Sequence, residues 1–157
     1  MKKHAVIGIG NPLRCDDAIG ILLLEKLLEK KDSLPENVEF IDGGTGGMNL
    51  LHILEKYNNV LIIDAVDFEG KPGDFKIFNT DEVISHKTPV RFSTHETDFI
   101  KIIKILEKIG KRPDEILVFG IQPKNISFGQ NLSGELIDII QDLFLKLEEE
   151  INSFCLK

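Results

Sequence analysis

Apolar residues follow two spacings along this chain, short unbroken runs and runs that recur every three or four positions, and the two kinds alternate. The first kind reads as strands buried on both faces, the second as helices with one buried stripe. Residues 5–9 form an apolar run closed by Gly10-Asn11-Pro12 and predict strand one. Ile21, Leu22, Leu24, Leu27 and Leu28 predict a helix over 18–30, with Asp16 or Asp17 placed to cap it. A second strand at 38–41 enters Asp42-Gly43-Gly44-Thr45-Gly46-Gly47, and helical spacing resumes over 48–57. A third strand at 60–63 is expected to stop at Asp64.

This alternation predicts one α/β domain, a three-layer α/β/α sandwich around a five-stranded, mostly parallel sheet. Strand four, at 74–78, is expected to be the exception. Only nine residues, Ala65 to Gly73, separate it from Asp64, too few for a parallel crossover with its helix, so it is predicted to run antiparallel. A polar segment at 79–91 leads to a helix over 95–109 that ends at Gly110, and 116–121 supplies the fifth strand. In the last helix Leu136, Ile140, Leu143, Phe144 and Leu147 line one face, and Glu148-Glu149-Glu150 reads as its solvated end.

Composition narrows the function. A chain of 157 residues with net charge −7 and its Lys and Arg scattered among acids repels a phosphate backbone, so no nucleic-acid partner is expected. Cys15 and Cys155 lie far apart and form no metal or redox pair, which fits a reducing, cytoplasmic setting. The apolar run after Lys2-Lys3 breaks at Gly8, unlike a leader, and no stretch of 18 apolar residues exists to span a membrane.

Ligands of parallel α/β sheets sit beyond the carboxyl ends of the strands. Asp16 and Asp17 follow strand one, Asp42 ends strand two and Asp64 follows strand three, so four carboxylates converge on one rim. Their mutual repulsion calls for a shared proton or a bound cation. Asp67 fits a turn. Among four histidines only His95 has a defined setting, between Ser93 and Glu96, which form a capping box at a helix start. Two carboxylates and an imidazole would suit a divalent transition metal without specifying which. A leucine at position 13 breaks the dinucleotide fingerprint. Cys15 beside two carboxylates is a poor thiolate nucleophile.

The segment Gly8-Ile9-Gly10-Asn11-Pro12-Leu13-Arg14-Cys15-Asp16-Asp17-Ala18-Ile19-Gly20 resembles the opening signature of the hydrogenase maturation endopeptidases. Asp42-Gly43-Gly44-Thr45, Asp64-Ala65-Val66-Asp67, Ser93-Thr94-His95 and Phe119-Gly120-Ile121-Gln122-Pro123 match further motifs of that family in order. The resemblance implies a five-stranded mixed sheet between helix layers. It implies an endopeptidase, sometimes grouped with aspartic peptidases, that removes the C-terminal extension of a nickel-iron hydrogenase large-subunit precursor after nickel insertion. Carried over, the metal contacts are Asp17, Asp64 and His95, with Asp17 standing where the family often has glutamate. The nickel is expected to arrive on the precursor, and no organic cofactor is implied. Either that nickel polarises the scissile carbonyl, or Asp16 or Asp42 acts as general base on a water.

Two rivals stand beside this reading. A peptidyl-tRNA hydrolase shares the architecture and the glycine-asparagine-proline turn, but it should show a basic face and a histidine soon after the turn, where Asp16-Asp17 stands. A non-enzymatic, flavodoxin-like metal or ligand-binding module is the other.

Overall fold

The computed structural model describes residues 1–84, 91–92 and 96–156. Strands β1 (His4–Gly8), β2 (Val38–Asp42), β3 (Asn59–Asp67), β4 (Phe75–Asn79), β5 (Arg91–Phe92) and β6 (Glu115–Ile121) alternate with helices α1 (Ile19–Glu29), α2 (Asn49–Leu54), α3 (Thr80–Ile84), α4 (Glu96–Lys108) and α5 (Gly134–Cys155). The main sheet has the order β2-β1-β3-β6-β4. β1 pairs in parallel with β2 and β3, β3 in parallel with β6, and β4 antiparallel with β6. The antiparallel fourth strand is therefore as the short connection predicts, and it occupies an edge beside β6. The two-residue β5 adds an antiparallel pair to the far end of β3, Val66 opposite Phe92 and Asp67 opposite Arg91.

Alternation along the buried strands splits the core into two layers. Val6, Leu61, Ile63, Ala65, Phe119 and Ile121 pack with Ile19, Leu23 and Leu27 of α1 and with Leu136, Leu143, Phe144 and Leu147 of α5. On the other face Ala5, Ile7, Val60, Ile62, Val66 and Val118 pack with Leu50 and Leu54 of α2 and with Phe99, Ile102, Ile103 and Leu106 of α4. Each fully buried side chain of this size contributes about 1.5–3 kcal/mol, so both helix layers are held by their apolar stripes.

Several boundaries differ from the sequence reading. β3 does not stop at Asp64. It runs through it to Asp67, because Ala65 and Val66 continue the buried run and Asp64 to Ala65 pair with Gly120 and Ile121 of β6. α5 does not end at Glu148-Glu149-Glu150 but continues to Cys155, with Ile151 and Phe154 buried beyond the acidic run. A short helix, α3, occupies part of the expected polar segment. Ser93, the N-terminal member of the expected capping box, lies outside the described residues.

Candidate functional site

Strand one leaves the sheet through a turn that glycine alone permits. A Cβ on Gly10 would lie 2.1 Å from the Asp17 carbonyl oxygen, and one on Gly20 would lie 2.2 Å from the Ile9 and 2.4 Å from the Ile63 carbonyl oxygens. Those close approaches press the segment after β1 and the start of α1 against the carboxyl end of β3, where Ile9 N–H donates to Ile63 O at 2.9 Å. Asp64 follows Ile63 directly, on the central strand, and is 2% exposed. Strand alternation puts its side chain on the sheet face that α2 and α4 cover. The first residue of α4, Glu96, comes immediately after His95 in sequence, and His95 itself lies outside the described residues.

Neither Asp16 nor Asp17 caps α1. Both sit in a 3-10 turn, Cys15–Ala18, that precedes the helix, and the N-cap residue is Ala18, with no side-chain cap. Asp17 is 2% exposed. Its Oδ2 accepts the Asn11 N–H at 3.0 Å, while its Oδ1 is buried with no hydrogen-bond partner among the described residues. An unsatisfied buried acceptor costs about 1–3 kcal/mol, so it calls for a reason other than stability.

Asp16 is fully buried, at 0% exposure. Its Oδ1 accepts Ser133 N–H at 2.7 Å, and its Oδ2 accepts Lys124 N–H at 2.9 Å, Asn125 N–H at 3.0 Å and the Ser133 hydroxyl at 2.9 Å. With both oxygens taken by four donors and no exposed face, Asp16 has no room to accept a proton from a water, so the expectation of a general base at this position does not fit the geometry. Asp42 is different. It ends β2 in register with Gly8, is exposed, and uses Oδ1 to accept Gly44 N–H at 2.7 Å.

Asp67 is the turn residue the sequence predicts: its Oδ1 accepts Glu69 N–H at 3.0 Å and the Gln122 amide at 3.1 Å. Those bonds, Glu69's first, hold its carboxyl below the usual value of 3.8. Gln122 also accepts Phe68 N–H at 2.9 Å and Gly70 N–H at 3.0 Å, fixing the turn after β3. The structure thus brings Asp16, Asp17 and Asp64 to the carboxyl rim of β1 and β3 as buried carboxylates, with Asp42 beside them on β2. Among the described residues no three His, Cys, Asp or Glu side chains form a group that could hold a metal. A groove of about 410 Å³, lined by Phe75, Lys76, Asp142 and Lys146 among others, contains none of these candidates. Ser133 and Asn125 escaped the sequence reading, because nothing local ties them to residues more than a hundred positions earlier.

The sequence profile of the hydrogenase maturation protease family matches residues 22–151. This chain belongs to that family. Its structure is similar to the hydrogenase maturating endopeptidase HybD from E. coli, with a TM-score of 0.80 and 27% identity over 96% of this chain and 93% of that one. It is 36% identical to a Methanocaldococcus jannaschii protein that bears the maturation-protease name provisionally, over 92% of both chains. It is 31% identical to the hydrogenase expression/formation protein HupD of Bradyrhizobium diazoefficiens, over 87% of this chain and 69% of that protein. Against four other bacterial relatives the chain spans only 58% to 61% of the relative's length. Family membership displaces the peptidyl-tRNA hydrolase reading. No helix among the described residues is long and apolar enough to cross a membrane.

Proposed function

We propose that this chain is a cytoplasmic endopeptidase that removes the C-terminal extension of a nickel-iron hydrogenase large-subunit precursor once nickel has been inserted. The observation that carries the reading is Asp17, a carboxylate 2% exposed with one oxygen held by Asn11 and the other without a partner among the described residues. Such an oxygen is retained where a substrate supplies what the fold withholds. The nickel carried by the precursor is that missing partner, contacted by Asp17 together with Asp64 and His95.

The proposed role of the ion is recognition. Contact with it holds the scissile segment against the carboxyl rim, so cleavage follows only from a loaded precursor. Of the two carboxylates considered for water activation, Asp42 is the one we retain, since it is exposed and has Oδ2 open to a water. The aspartic-peptidase grouping rests on that assignment.

The test is incubation of the purified chain with nickel-loaded and nickel-free precursor, followed by gel mobility and mass spectrometry. Shortening of the loaded precursor alone is expected. Equal shortening of both would overturn the nickel-sensing mechanism, and shortening of neither would overturn the assignment as an endopeptidase.

A further inference from the structure

We propose that Asp16 is a positioning residue, which aims Asp17 by clamping the turn that carries it to the loop after β6. This rests on the reading of Asp17 as a contact to the precursor's nickel.

The clamp joins segments more than a hundred positions apart. The Asp16 carboxylate gathers three backbone N–H groups and one hydroxyl from Lys124, Asn125 and Ser133. The backbone of the turn answers in the same place: Asp16 N–H donates to Asn125 O at 2.9 Å, Cys15 N–H to Gly129 O at 3.0 Å, and Gly129 N–H to Leu13 O at 2.8 Å. Residues 13 to 16 are thereby fixed from one side by a single loop.

The turn needs such fixing. Cys15 has φ of 47°, a left-handed conformation that costs a non-glycine residue about 1–2 kcal/mol. Two residues on, the Asp17 carboxylate accepts one hydrogen bond, from Asn11 N–H, and its other oxygen has no partner among the described residues. A carboxylate tied at one oxygen is aimed chiefly by its backbone, and that backbone is what the clamp holds. The chemistry of Asp16 suits this task. An ionised carboxylate only accepts, and four donors meet it; an asparagine would turn an amide donor toward donors.

The experiment compares the wild-type chain with Asp16→Asn and Ser133→Ala by amide hydrogen exchange at residue resolution, and by kcat and KM on the nickel-loaded precursor. In Asp16→Asn the amides of Lys124, Asn125 and Ser133 should exchange faster. So should that of Asn11, by about tenfold or more, although Asn11 does not touch Asp16. The same variant should lose about tenfold or more in kcat with KM changed by less than about twofold. Ser133→Ala, which keeps the carboxylate and deletes one hydroxyl, should show the same pattern at about threefold.

Open loop amides with unchanged Asn11 protection would overturn the proposal and leave Asp16 as a latch for the fold alone. If Asp16→Asn does not fold, Ser133→Ala decides by the same Asn11 criterion. If the wild type cuts no precursor, the endopeptidase reading fails, while the exchange data still decide whether Asp16 governs Asp17.

Discussion

At the amino end of the sheet His4 of β1 and Asn59 of β3 lie in register, 4% and 2% exposed, with Asn59 Nδ2 3.4 Å from His4 Nδ1. The imidazole also stands edge-on to Phe154, with ring centroids 5.5 Å apart. At the carboxyl end, Asp17 follows β1 and Asp64 lies within β3, each 2% exposed. Burial is nearly the same at both ends, but the chemistry differs. The amino end buries polar groups that need no formal charge and meet each other. The carboxyl end buries carboxylates, and leaves one oxygen of Asp17 without a partner among the described residues. Stability alone accounts for the first arrangement; the second gives up stability at the rim where ligands of such sheets bind.

The comparison breaks most readily through Asp17→Asn and Asp64→Asn. Each is expected to lower the cleavage rate of the loaded precursor by about a hundredfold, since loss of one contact displaces the scissile bond by about an ångström. Asp17→Asn keeps an oxygen for Asn11 N–H and removes the buried charge. Its unfolding free energy, measured in urea, should therefore be unchanged or raised, by up to about 1–3 kcal/mol. A large loss of stability with unchanged turnover per folded molecule would reverse the contrast between the two ends.

The opposite pattern is expected at the amino end. His4→Ala removes the edge-on contact with Phe154 and leaves Asn59 Nδ2 without its neighbour, which should lower unfolding free energy by about 2 kcal/mol. Cleavage by the folded fraction should stay at the wild-type rate. A drop in kcat comparable to that of Asp17→Asn would show that the two ends are not separable.

The smallest effect is expected at Asp67, which lies at the carboxyl end but is exposed. Its lowered pKa means that the charged form is favoured in the folded state. Its contribution is therefore present above the ordinary carboxylate value and lost as pH falls through the lowered one. Asp67→Asn should remove no more than about 0.5 kcal/mol at neutral pH, after solvent screening. That difference should vanish in acid, as read from urea midpoints between about pH 3 and pH 6. A loss of activity here would extend the functional rim beyond Asp64.

Much of this architecture was legible because local spacing carries it: the alternation of runs, the short link before β4, and the glycines flanking the first turn. A charge after apolar residues usually marks a strand end, so the sequence predicts one at Asp64, whereas pairing with β6 carries the strand to Asp67. The acidic run 148–150 predicts a helix end for a related reason, its charge, although Ile151 and Phe154 resume the buried stripe beyond it. At Asp16 and Asp17 a capping rule pointed to α1, but a 3-10 turn intervenes and the true partners are Asn11 and the loop 124–133. Side chains that meet only through the tertiary fold leave no periodic trace in the sequence.

The long reach of the Asp16 clamp also bears on the order of assembly. β1 and the turn after it are made well before the loop they meet, since three of the four donors to the Asp16 carboxylate are backbone amides of residues 124, 125 and 133. Closing loops of that length carries a high entropic cost and belongs late in folding, after the central strands have paired. Until the segment through Ser133 has been synthesised and docked, the turn bearing Asp17 lacks its clamp. A nascent chain with a nearly complete sheet would therefore still lack a formed site, and competence would appear with the docking of that loop rather than with collapse of the core.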